Sequence, residues 1–395
     1  MVFGYYATGI AKAFFPRSSE YASLMQTFAT FGAGYLMRPL GAIVLGAYID
    51  HHGRRKGLLL TLALMAVGTL SIGCTPGYET LGLFAPLLVV LGRLVQGLSA
   101  GVEIGGVSVY LAEIATPGRK GFYVSWQSGS QQVAVAFAAV LGLALASWLP
   151  PDQMLAWGWR IPLLAGSALV PFILLLRSSL AESDEFATRQ HRPTRNDIWR
   201  TLAANWSLVI LGMMLSTMTT VTFYLITAYM PTFGSTVLRL SSKDSMIVTL
   251  CVGLSNFALL PVMGAASDRL GRRPLLIAFS LLSLVTAYPA LAWLVGAPSF
   301  SRLLTVALWF SIIFASYNGS MVVYLTEIMP REVRASGFSL AYSLATGIFG
   351  GFTPVASTYL IHVTGNRAMP GAWLSLAAAM GLTATLLLAP VKKTV

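Results

Sequence analysis

Residues 46–56 read Gly-Ala-Tyr-Ile-Asp-His-His-Gly-Arg-Arg-Lys, and residues 264–273 read Gly-Ala-Ala-Ser-Asp-Arg-Leu-Gly-Arg-Arg. Both stretches have the pattern Gly-x3-Asp-x2-Gly-Arg-Arg, and they are offset by 218 residues in a chain of 395. Each lies between two long apolar segments. A charged phrase that returns at the same place in each half, between segments of membrane-spanning length, predicts a duplicated helical bundle.

A second pair of similar stretches supports the duplication. Residues 110–114 read Tyr-Leu-Ala-Glu-Ile and residues 324–328 read Tyr-Leu-Thr-Glu-Ile, an offset of 214 residues. The two offsets are nearly equal, as expected when only loop lengths differ between the halves. Duplicated membrane bundles are typical of secondary transporters, although a repeat indicates the fold and not the substrate.

The composition predicts a membrane protein. Hydrophobic residues make up 56% of the chain and charged residues 10%, and the mean hydropathy is +0.72. A soluble domain carries about 25% charged residues to cover its surface. The outer surface is therefore expected to face the lipid bilayer.

The net charge of +12 is distributed unevenly. Of the 26 Lys and Arg residues, 17 lie in alternate connections on one side of the predicted spans and five lie in the opposite connections. This asymmetry follows the positive-inside rule and places both repeated phrases in the cytoplasm. It also accounts for the basic charge without a nucleic-acid partner.

Twelve segments are apolar enough to be membrane spans, which need about 20 residues each. They are 1–15, 20–49, 56–76, 81–112, 120–148, 154–178, 200–231, 244–267, 274–296, 301–329, 334–362 and 368–391. The predicted fold is an all-α polytopic membrane protein with two six-helix bundles, 1–178 and 200–395, joined by a cytoplasmic linker at 179–199. The first segment is too short to cross a core of about 30 Å, so we expect a first helix truncated at its N-terminus.

Several motifs resemble those of the major facilitator superfamily. Besides the two repeated phrases, Arg93, Gln96, Gly97 and Gly101 match that superfamily's Arg-x2-Gln-Gly-x3-Gly signature. The strings Met-Arg-Pro-Leu-Gly at 37–41 and Trp-Gly-Trp-Arg-Ile-Pro at 157–162 resemble the metabolite–proton symporter branch. Phrases along nearly the whole chain look like the bacterial citrate and tricarballylate proton symporters of that branch.

The chain departs from the family pattern in two respects. Family members carry an acidic patch early in the first span, and this sequence begins after it. The second repeated phrase has Pro274 where the first has Lys56. The family's acidic patch is an alternative site for proton coupling, and we expect the second difference to weaken the charge contacts of the second loop.

Two arginines are predicted near the middle of the membrane. Arg38 lies 12 residues before Asp50, which corresponds to a depth of about 18 Å, and Arg93 lies about eight residues into its own span. Charges in the hydrocarbon region are costly unless paired or hydrated. Planar guanidinium groups at one depth suit a substrate with several carboxylates. The alternative for each is an internal salt bridge.

Glu103 is the one carboxylate that the pattern places in the middle of a span. Its ten-residue separation from Arg93 puts the two side chains on different faces of one helix. We therefore expect Glu103 either to pair with another span or to bind the coupling proton, since desolvation favours a protonated carboxyl. Arg93 is a second residue predicted to take part in proton coupling.

Neutral polar side chains recur at helical spacing in three further spans. They are Gln127, Ser130 and Gln131 in the fifth span, Thr217, Thr220, Tyr224 and Thr227 in the seventh, and Tyr317, Asn318, Ser320 and Tyr324 in the tenth. Such stripes face the bundle interior or a polar cavity rather than lipid. Such side chains act either as contacts between helices or as donors to substrate oxygens. The residues predicted to bind the substrate in this way are Gln127, Ser130, Gln131, Thr220, Tyr224, Tyr317 and Asn318.

The repeated phrases are expected to form a cytoplasmic gate. The aspartates can cap neighbouring helix N-termini, and the arginines can pair with glutamates near the ends of the fourth and tenth spans. The predicted gate residues are Asp50, Arg54, Arg55, Glu113, Asp268, Arg272, Arg273 and Glu327. The resemblance implies that such contacts close and open during alternating access. The alternative is that the basic residues only set the topology.

The sequence carries no pattern of an enzyme. It lacks a phosphate-binding Gly-x4-Gly-Lys-[Ser/Thr] loop, a catalytic triad arrangement and a His/Cys metal pattern, so no cofactor or metal is expected. The resemblance implies a monomeric transporter in the bacterial inner membrane that takes up citrate or a related tricarboxylate with protons. Another acid or a zwitterion of the same branch, and a membrane receptor that binds without transport, are the alternatives.

Overall fold

A computed structural model describes residues 2–16, 19–52, 54–101, 103–178, 204–330 and 333–388. The described residues form helices and short connections and no strand. The first half contains α1 (Val2–Tyr5 and Ala7–Phe14), α2 (Glu20–His52), α3 (Arg54–Cys74), α4 (Phe84–Ala100 and Glu103–Glu113), α5 (Lys120–Trp148) and α6 (Pro151–Gln153, Met154–Gly158, Arg160–Ala168 and Val170–Ser178).

The second half contains six further helices of the same kind. They are α7 (Trp206–Tyr224, Leu225–Tyr229, Met230–Thr232 and Phe233–Val237), α8 (Ser242–Leu270), α9 (Arg272–Gly296), α10 (Phe300–Ile328), α11 (Arg334–Ala345, Thr346–Gly350 and Thr353–Thr364) and α12 (Met369–Leu387). Over the described residues, each of the twelve predicted spans coincides with one of these helices, which confirms the predicted fold class. The predicted linker at 179–199 lies outside the described residues.

Most of these helices are long enough to cross a membrane. In the described part of the chain, nine helices are long and apolar enough to span a membrane. The two pieces of α6 are bent by 48° and form a tenth span if they are counted together. The apolar portion of α3 is shorter and covers Leu59–Cys74. Large apolar side chains remain exposed on the outside, including Leu83 at 76% and Trp148 at 80%, as expected of a surface in contact with lipid.

Two helices lie at the centre of the second half. In α7, 78% of the most apolar window is buried, and in α10 the figure is 83%, whereas α9 reaches 33%. These two helices carry the Thr, Tyr and Asn stripes seen in the sequence. The polar stripes are therefore inside the protein and away from lipid.

The two halves make close contact at both ends. At the end that carries the repeated basic phrases, α4 meets α11 where Gly105 abuts Ser339, and α5 meets α8 where Gly121 abuts Gly264. At the opposite end, a Cβ on Gly4 of α1 would lie 3.0 Å from the carbonyl oxygen of Ala228 in α7. The two halves are therefore in contact at both ends.

Arg160 at the start of α6 stabilises the first half. Its guanidinium donates to the carbonyl oxygens of Gly73 (2.9 Å) and Thr75 (2.6 Å) and lies 4.6 Å from the ring of Trp159. These carbonyls belong to the C-terminal end of α3, which has no helical donors of its own. Arg160 therefore caps the C-terminal end of α3.

The contact between α4 and α11 can be tested with adjacent glycines. A methyl group at Gly105 would collide with Ser339 and with the Ala335 carbonyl oxygen, whereas Gly106 faces open space. We expect Gly105→Ala to lower the free energy of unfolding by about 1–3 kcal/mol through overpacking. Gly106→Ala should leave it unchanged or raise it by up to about 1 kcal/mol. Thermal unfolding in detergent measures both, and equal effects would contradict the close contact.

Candidate functional site

Arg93 lies in a buried pocket of aromatic rings in the first half. Its side chain is 8% exposed, and its guanidinium lies 5.1, 4.9 and 5.5 Å from the ring centres of Phe3, Phe31 and Tyr35. One nitrogen donates to the carbonyl oxygen of Phe31 at 2.9 Å. The Nε atom has no hydrogen-bond partner in the described part of the chain. A buried donor without a partner is costly, so this atom is available to a ligand.

Gln96 fixes the orientation of Arg93. Its amide oxygen accepts a hydrogen bond from Arg93 at 2.7 Å, and its amide nitrogen donates to the hydroxyl of Thr69 at 2.8 Å. Thr69 in turn donates to the carbonyl oxygen of Met65 at 2.8 Å. The sequence signature contains Gln96, and the structure gives it a positioning role beside Arg93.

Arg38 lies beside Arg93 in the same cluster. Its guanidinium is 4.5 Å from the ring of Tyr35, and Tyr224 of the second half lies within hydrogen-bonding reach of it. Tyr342 of α11 is close enough to interact electrostatically with Arg38, as is Arg93. Tyr35 and Tyr224 contact each other with ring centres 5.0 Å apart. We name Tyr35, Arg38, Arg93, Tyr224 and Tyr342 the two-arginine cluster.

The two-arginine cluster holds two positive charges without a described counterion. Among described residues, no ion pair joins Arg38 or Arg93 to a carboxylate, and the Nε atom of Arg38 also has no partner. The side chain of Glu103 lies outside the described residues. Aromatic rings stabilise cations to a limited extent, so the cluster favours an anion with more than one carboxylate.

Two residues of the cluster were missed by the sequence analysis. Tyr35 lies in α2 with its ring against Arg38 and within hydrogen-bonding reach of Arg93, and Tyr342 lies in α11 close enough to interact electrostatically with Arg38. Tyr35 comes three residues, about one helical turn, before Arg38, a spacing that places both on one face of α2. That signal was available for Tyr35, whereas nothing in the sequence tied Tyr342 to a residue of the other half.

The predicted residues of the second half separate into two groups. Thr220 and Tyr224 are buried in α7, and Tyr224 belongs to the two-arginine cluster. Tyr317 instead points into the second half, where its hydroxyl donates to the carbonyl oxygen of Leu215 at 2.9 Å. The structure does not bring Tyr317 to the cluster, and its hydrogen bond is a contact between α7 and α10.

Asn318 is a buried amide with both polar atoms unused. It is 1% exposed, and neither its amide nitrogen nor its amide oxygen has a partner in the described ranges. Such a group costs about 1–3 kcal/mol unless water or a ligand satisfies it. Asn318 is therefore a strong candidate for contact with a bound molecule.

The polar residues of α5 face in different directions. Gln127 is buried and accepts a hydrogen bond from Ser128 at 2.9 Å. Ser130 is exposed and donates to the carbonyl oxygen of Gln127 on its own helix, and Gln131 is half-buried. The side chain that reaches the other half is Gln132, which was not predicted.

Gln132 joins Asn256 at the contact between α5 and α8. Both are at most 1% exposed, and the amide nitrogen of Asn256 lies 3.5 Å from the amide oxygen of Gln132. The amide oxygen of Asn256 has no partner among the described residues. A lone Asn in the apolar sequence of α8 was the available signal, since polar groups in membrane helices rarely lack a role.

Asp268 connects the two halves at the basic end. Its carboxylate accepts hydrogen bonds from the backbone N–H groups of Gly121 (2.8 Å) and Phe122 (3.0 Å) in the first turn of α5. A carboxylate at a helix N-terminus satisfies free donors and interacts favourably with the helix dipole. Asp268 therefore acts in place of an N-cap, across the interface between the halves.

Arg272 holds this carboxylate in position. It forms ion pairs with Asp268 at 2.7 Å and with Glu327 of α10 at 3.3 Å, and it donates to the hydroxyl of Ser267 at 3.3 Å. Arg273 instead donates to the carbonyl oxygen of Leu386 in α12 at 3.1 Å. We name the contacts of Asp268, Arg272 and Glu327 with the α5 N-terminus the basic-end latch.

The corresponding contacts of the first phrase are not described. The side chains of Asp50, Arg54 and Arg55 lie outside the described residues. Glu113 is exposed, and no ion pair joins it to another described residue. The predicted gate role of these four residues stays a prediction.

The chain has a repeated helical bundle, an apolar outer surface and a cluster that favours an anion between its two halves. Together these features define a polytopic membrane transporter. The chain matches the family described as "Sugar (and other) transporter" over residues 1–197 and 180–393. This chain belongs to that family of the major facilitator superfamily, whose members are transporters and not enzymes.

Two bacterial relatives match nearly the whole chain. The citrate-proton symporter of Klebsiella pneumoniae is 63% identical over 384 residues, which cover 97% of this chain and 86% of the relative. The citrate-proton symporter of Salmonella typhi is 59% identical over 387 residues, covering 98% and 89%. A crystal structure of a D-xylose-proton symporter has the same fold, with a TM-score of 0.75 at 20% identity over 99% of this chain and 96% of its own.

The basic-end latch can be tested by cysteine labelling. Asp268→Asn removes the carboxylate charge that the α5 N-terminus and Arg272 share, so we expect the halves to separate more often at this end. In a background without Cys74 and Cys251, a cysteine placed by Ser339→Cys should then react several-fold faster with a maleimide, because Ser339 is buried against Gly105.

The matched control for the latch is Asp244→Asn. Asp244 lies on the same helix, α8, but in its first turn at the opposite end. This variant should leave the labelling rate of the cysteine at position 339 unchanged. Equal labelling rates in the Asp268→Asn variant and the parent protein would show that the latch does not hold the halves together.

Proposed function

We propose that this chain is a citrate–proton symporter of a bacterial inner membrane. The observation that carries the proposal is the two-arginine cluster, in which two guanidinium groups share a buried pocket without a described carboxylate. The names of the two relatives at 63% and 59% identity support citrate as the substrate. A related tricarboxylate would satisfy the same cluster.

Arg38 and Arg93 bind the carboxylates in this proposal. Each guanidinium offers donors in a planar arrangement that matches the two oxygens of a carboxylate. Binding in a buried site strengthens these charge-assisted hydrogen bonds, because the effective dielectric constant is below that of water. The hydroxyl groups of Tyr35, Tyr224 and Tyr342 then serve remaining oxygens of the substrate.

Further contacts come from other predicted residues. Asn318 and Thr220 of the second half, and Gln127 of the first, are buried polar groups suited to oxygens of the substrate. Ser130 and Gln131 are weaker candidates, since one is exposed and the other half-buried. Tyr317 supports α7 through its bond to Leu215 and holds the site indirectly.

Proton coupling is assigned to Glu103 and Arg93. Substrate binding neutralises the positive charge of Arg93, and this removes a stabilising influence on an ionised carboxylate in the same half, so that the protonated form is favoured. Glu103 is the acidic residue that the sequence places in the same span as Arg93. A proton on Glu103 would then accompany the bound anion across the membrane.

Alternating access follows from the contacts at the two ends. Opening toward the basic end requires the basic-end latch to release the first turn of α5, while opening toward the other end requires α1 and α7 to separate. We assign the basic end to the cytoplasm, together with the linker at 179–199. The moving units are the bundles 1–178 and 200–395, and the transporter acts as a monomer.

Another metabolite of the same branch is the alternative substrate. A dicarboxylate, a shikimate-like acid or a zwitterion would also interact with a guanidinium group. A zwitterion additionally needs an anionic partner for its cation, and the described residues of the cluster supply none. The two-arginine cluster therefore favours an anion with several carboxylates.

The direct test is uptake of labelled citrate into proteoliposomes, with and without an inward proton gradient. We expect accumulation that requires the gradient and is competed by tricarballylate. Arg93→Lys should reduce uptake by about 10- to 100-fold, because lysine keeps the charge but loses the bidentate hydrogen bonds. Absence of gradient-dependent citrate accumulation by intact protein would refute the proposal.

The matched control is Arg302→Lys in α10. Like Arg93, Arg302 donates to a backbone carbonyl oxygen, that of Trp293 at 2.8 Å, and lies over an aromatic ring at 4.6 Å. It lies at the exposed start of the helix, so its replacement should leave citrate uptake unchanged. A similar loss in both variants would mean that Arg93 has only a structural role.

Asn318→Leu should have opposite effects on stability and on uptake. The substitution removes two unpartnered buried polar atoms, so the free energy of unfolding without substrate should rise by about 1–3 kcal/mol. The half-saturating citrate concentration should rise by about fivefold, because the substrate loses a hydrogen bond. Thermal unfolding and uptake measure the two effects. Higher stability with unchanged half-saturation would exclude Asn318 from the site.

A further inference from the structure

A cavity lies between the halves, at the end opposite the repeated basic phrases. It has a volume of about 110 Å³ and is lined by residues of α1, α5, α6, α7 and α8. Its lining includes Tyr5, Tyr6 and Trp159, and none of the residues of the two-arginine cluster. The volume holds several groups of the size of water. This outer cavity is therefore separate from the candidate site.

Three buried donors in the lining are unused. The hydroxyls of Tyr5 and Tyr6 and the indole nitrogen of Trp159 have no partner among the residues that the structure describes. The three side chains are 6%, 6% and 0% exposed. Each unsatisfied buried group costs free energy comparable to a lost hydrogen bond. Three such groups in the lining of one cavity are donors available to a hydrogen-bond acceptor.

The backbone around the outer cavity is also irregular. Helix α1 is interrupted at Tyr6, which has φ −109° and ψ 24°. Two π-helical turns, Met154–Gly158 in α6 and Phe233–Val237 in α7, contribute further lining residues. Broken helices in membrane proteins occur where they line a polar cavity, and π-helical turns are frequent at functional sites.

The neutral hydrogen-bond donors in the lining determine which kind of ligand fits the cavity. An indole nitrogen only donates, so its partner must be an acceptor. No Asp, Glu, Lys or Arg is among the described lining residues, so a ligand here meets neutral donors without an ion pair. A carboxylate group accepts several hydrogen bonds, and neutral donors hold it more weakly than guanidinium groups do. Weak binding suits a site through which a substrate passes.

The outer cavity and the two-arginine cluster are connected through α1, so a substrate could pass from one to the other. Tyr5 and Tyr6 follow Phe3 on the same helix, and the ring of Phe3 covers Arg93 at 5.1 Å. Resting on the proposed function, we propose that the outer cavity is an entry subsite, where Tyr5, Tyr6 and Trp159 bind one carboxylate group of the incoming substrate before it reaches the two-arginine cluster.

The test compares the two sides of the membrane. In right-side-out vesicles, Tyr5→Phe and Tyr6→Phe should each raise the external half-saturating citrate concentration by about fivefold, since each removes one hydrogen bond but keeps the ring. The internal half-saturating concentration for efflux should stay unchanged. Detailed balance then requires the maximal efflux rate to fall by about the same factor as uptake efficiency.

The control variant is Tyr110→Phe, whose side chain is 53% exposed on α4 and is not part of the cavity lining. It should change neither half-saturating concentration. Unchanged external half-saturation in both cavity variants would mean that water alone fills the outer cavity, and an equal rise on both sides would indicate a general structural effect. Either result overturns the entry subsite. Wild-type vesicles that fail to take up citrate would instead refute the proposed function.

Discussion

Two positive charges in one buried pocket are the constraint on which the rest of the structure depends. Arg38 and Arg93 repel each other, and desolvation adds to the cost of both. Phe31 and Tyr35 offer ring faces, and Gln96 fixes one guanidinium by a bond of 2.7 Å. These contacts offset the repulsion and the desolvation only in part, so a bound anion would stabilise the cluster. Because both halves contribute to the cluster, the same anion would also stabilise their closure around it.

The sequence predicted the fold well because the membrane imposes strong rules on helix length and charge. The twelve spans and the duplication followed from apolar segments and repeated phrases such as that around Asp268. Depth arguments also brought Arg38 and Arg93 to one level, since the rise per residue of a helix is fixed. None of these arguments requires knowledge of how one helix is rotated against another.

Rotation and pairing between helices were harder to predict. Spacing grouped Gln127, Ser130 and Gln131, yet Gln132 is the side chain that meets Asn256 across the halves. Tyr317 and Asn318 are neighbours in sequence, but only Tyr317 uses its polar atom within α7 and α10. Helical spacing defines a face and does not say which partner lies opposite, so contacts between distant segments need the structure.

The basic-end latch at Asp268 joins a side-chain acceptor to main-chain donors. Its acceptor is a side chain, whereas its donors are the main-chain N–H groups of Gly121 and Phe122. Every residue except proline supplies the same donor. Substitution of Phe122 by most residues would therefore leave the latch chemically intact, while substitution of Asp268 would remove its acceptor. At Gly121, by contrast, any side chain would collide with the carbonyl oxygen of Gly264. Mutational tolerance on α5 is therefore confined to Phe122, and a selection for variants that open more readily would recover changes at Asp268 far more often than at Phe122.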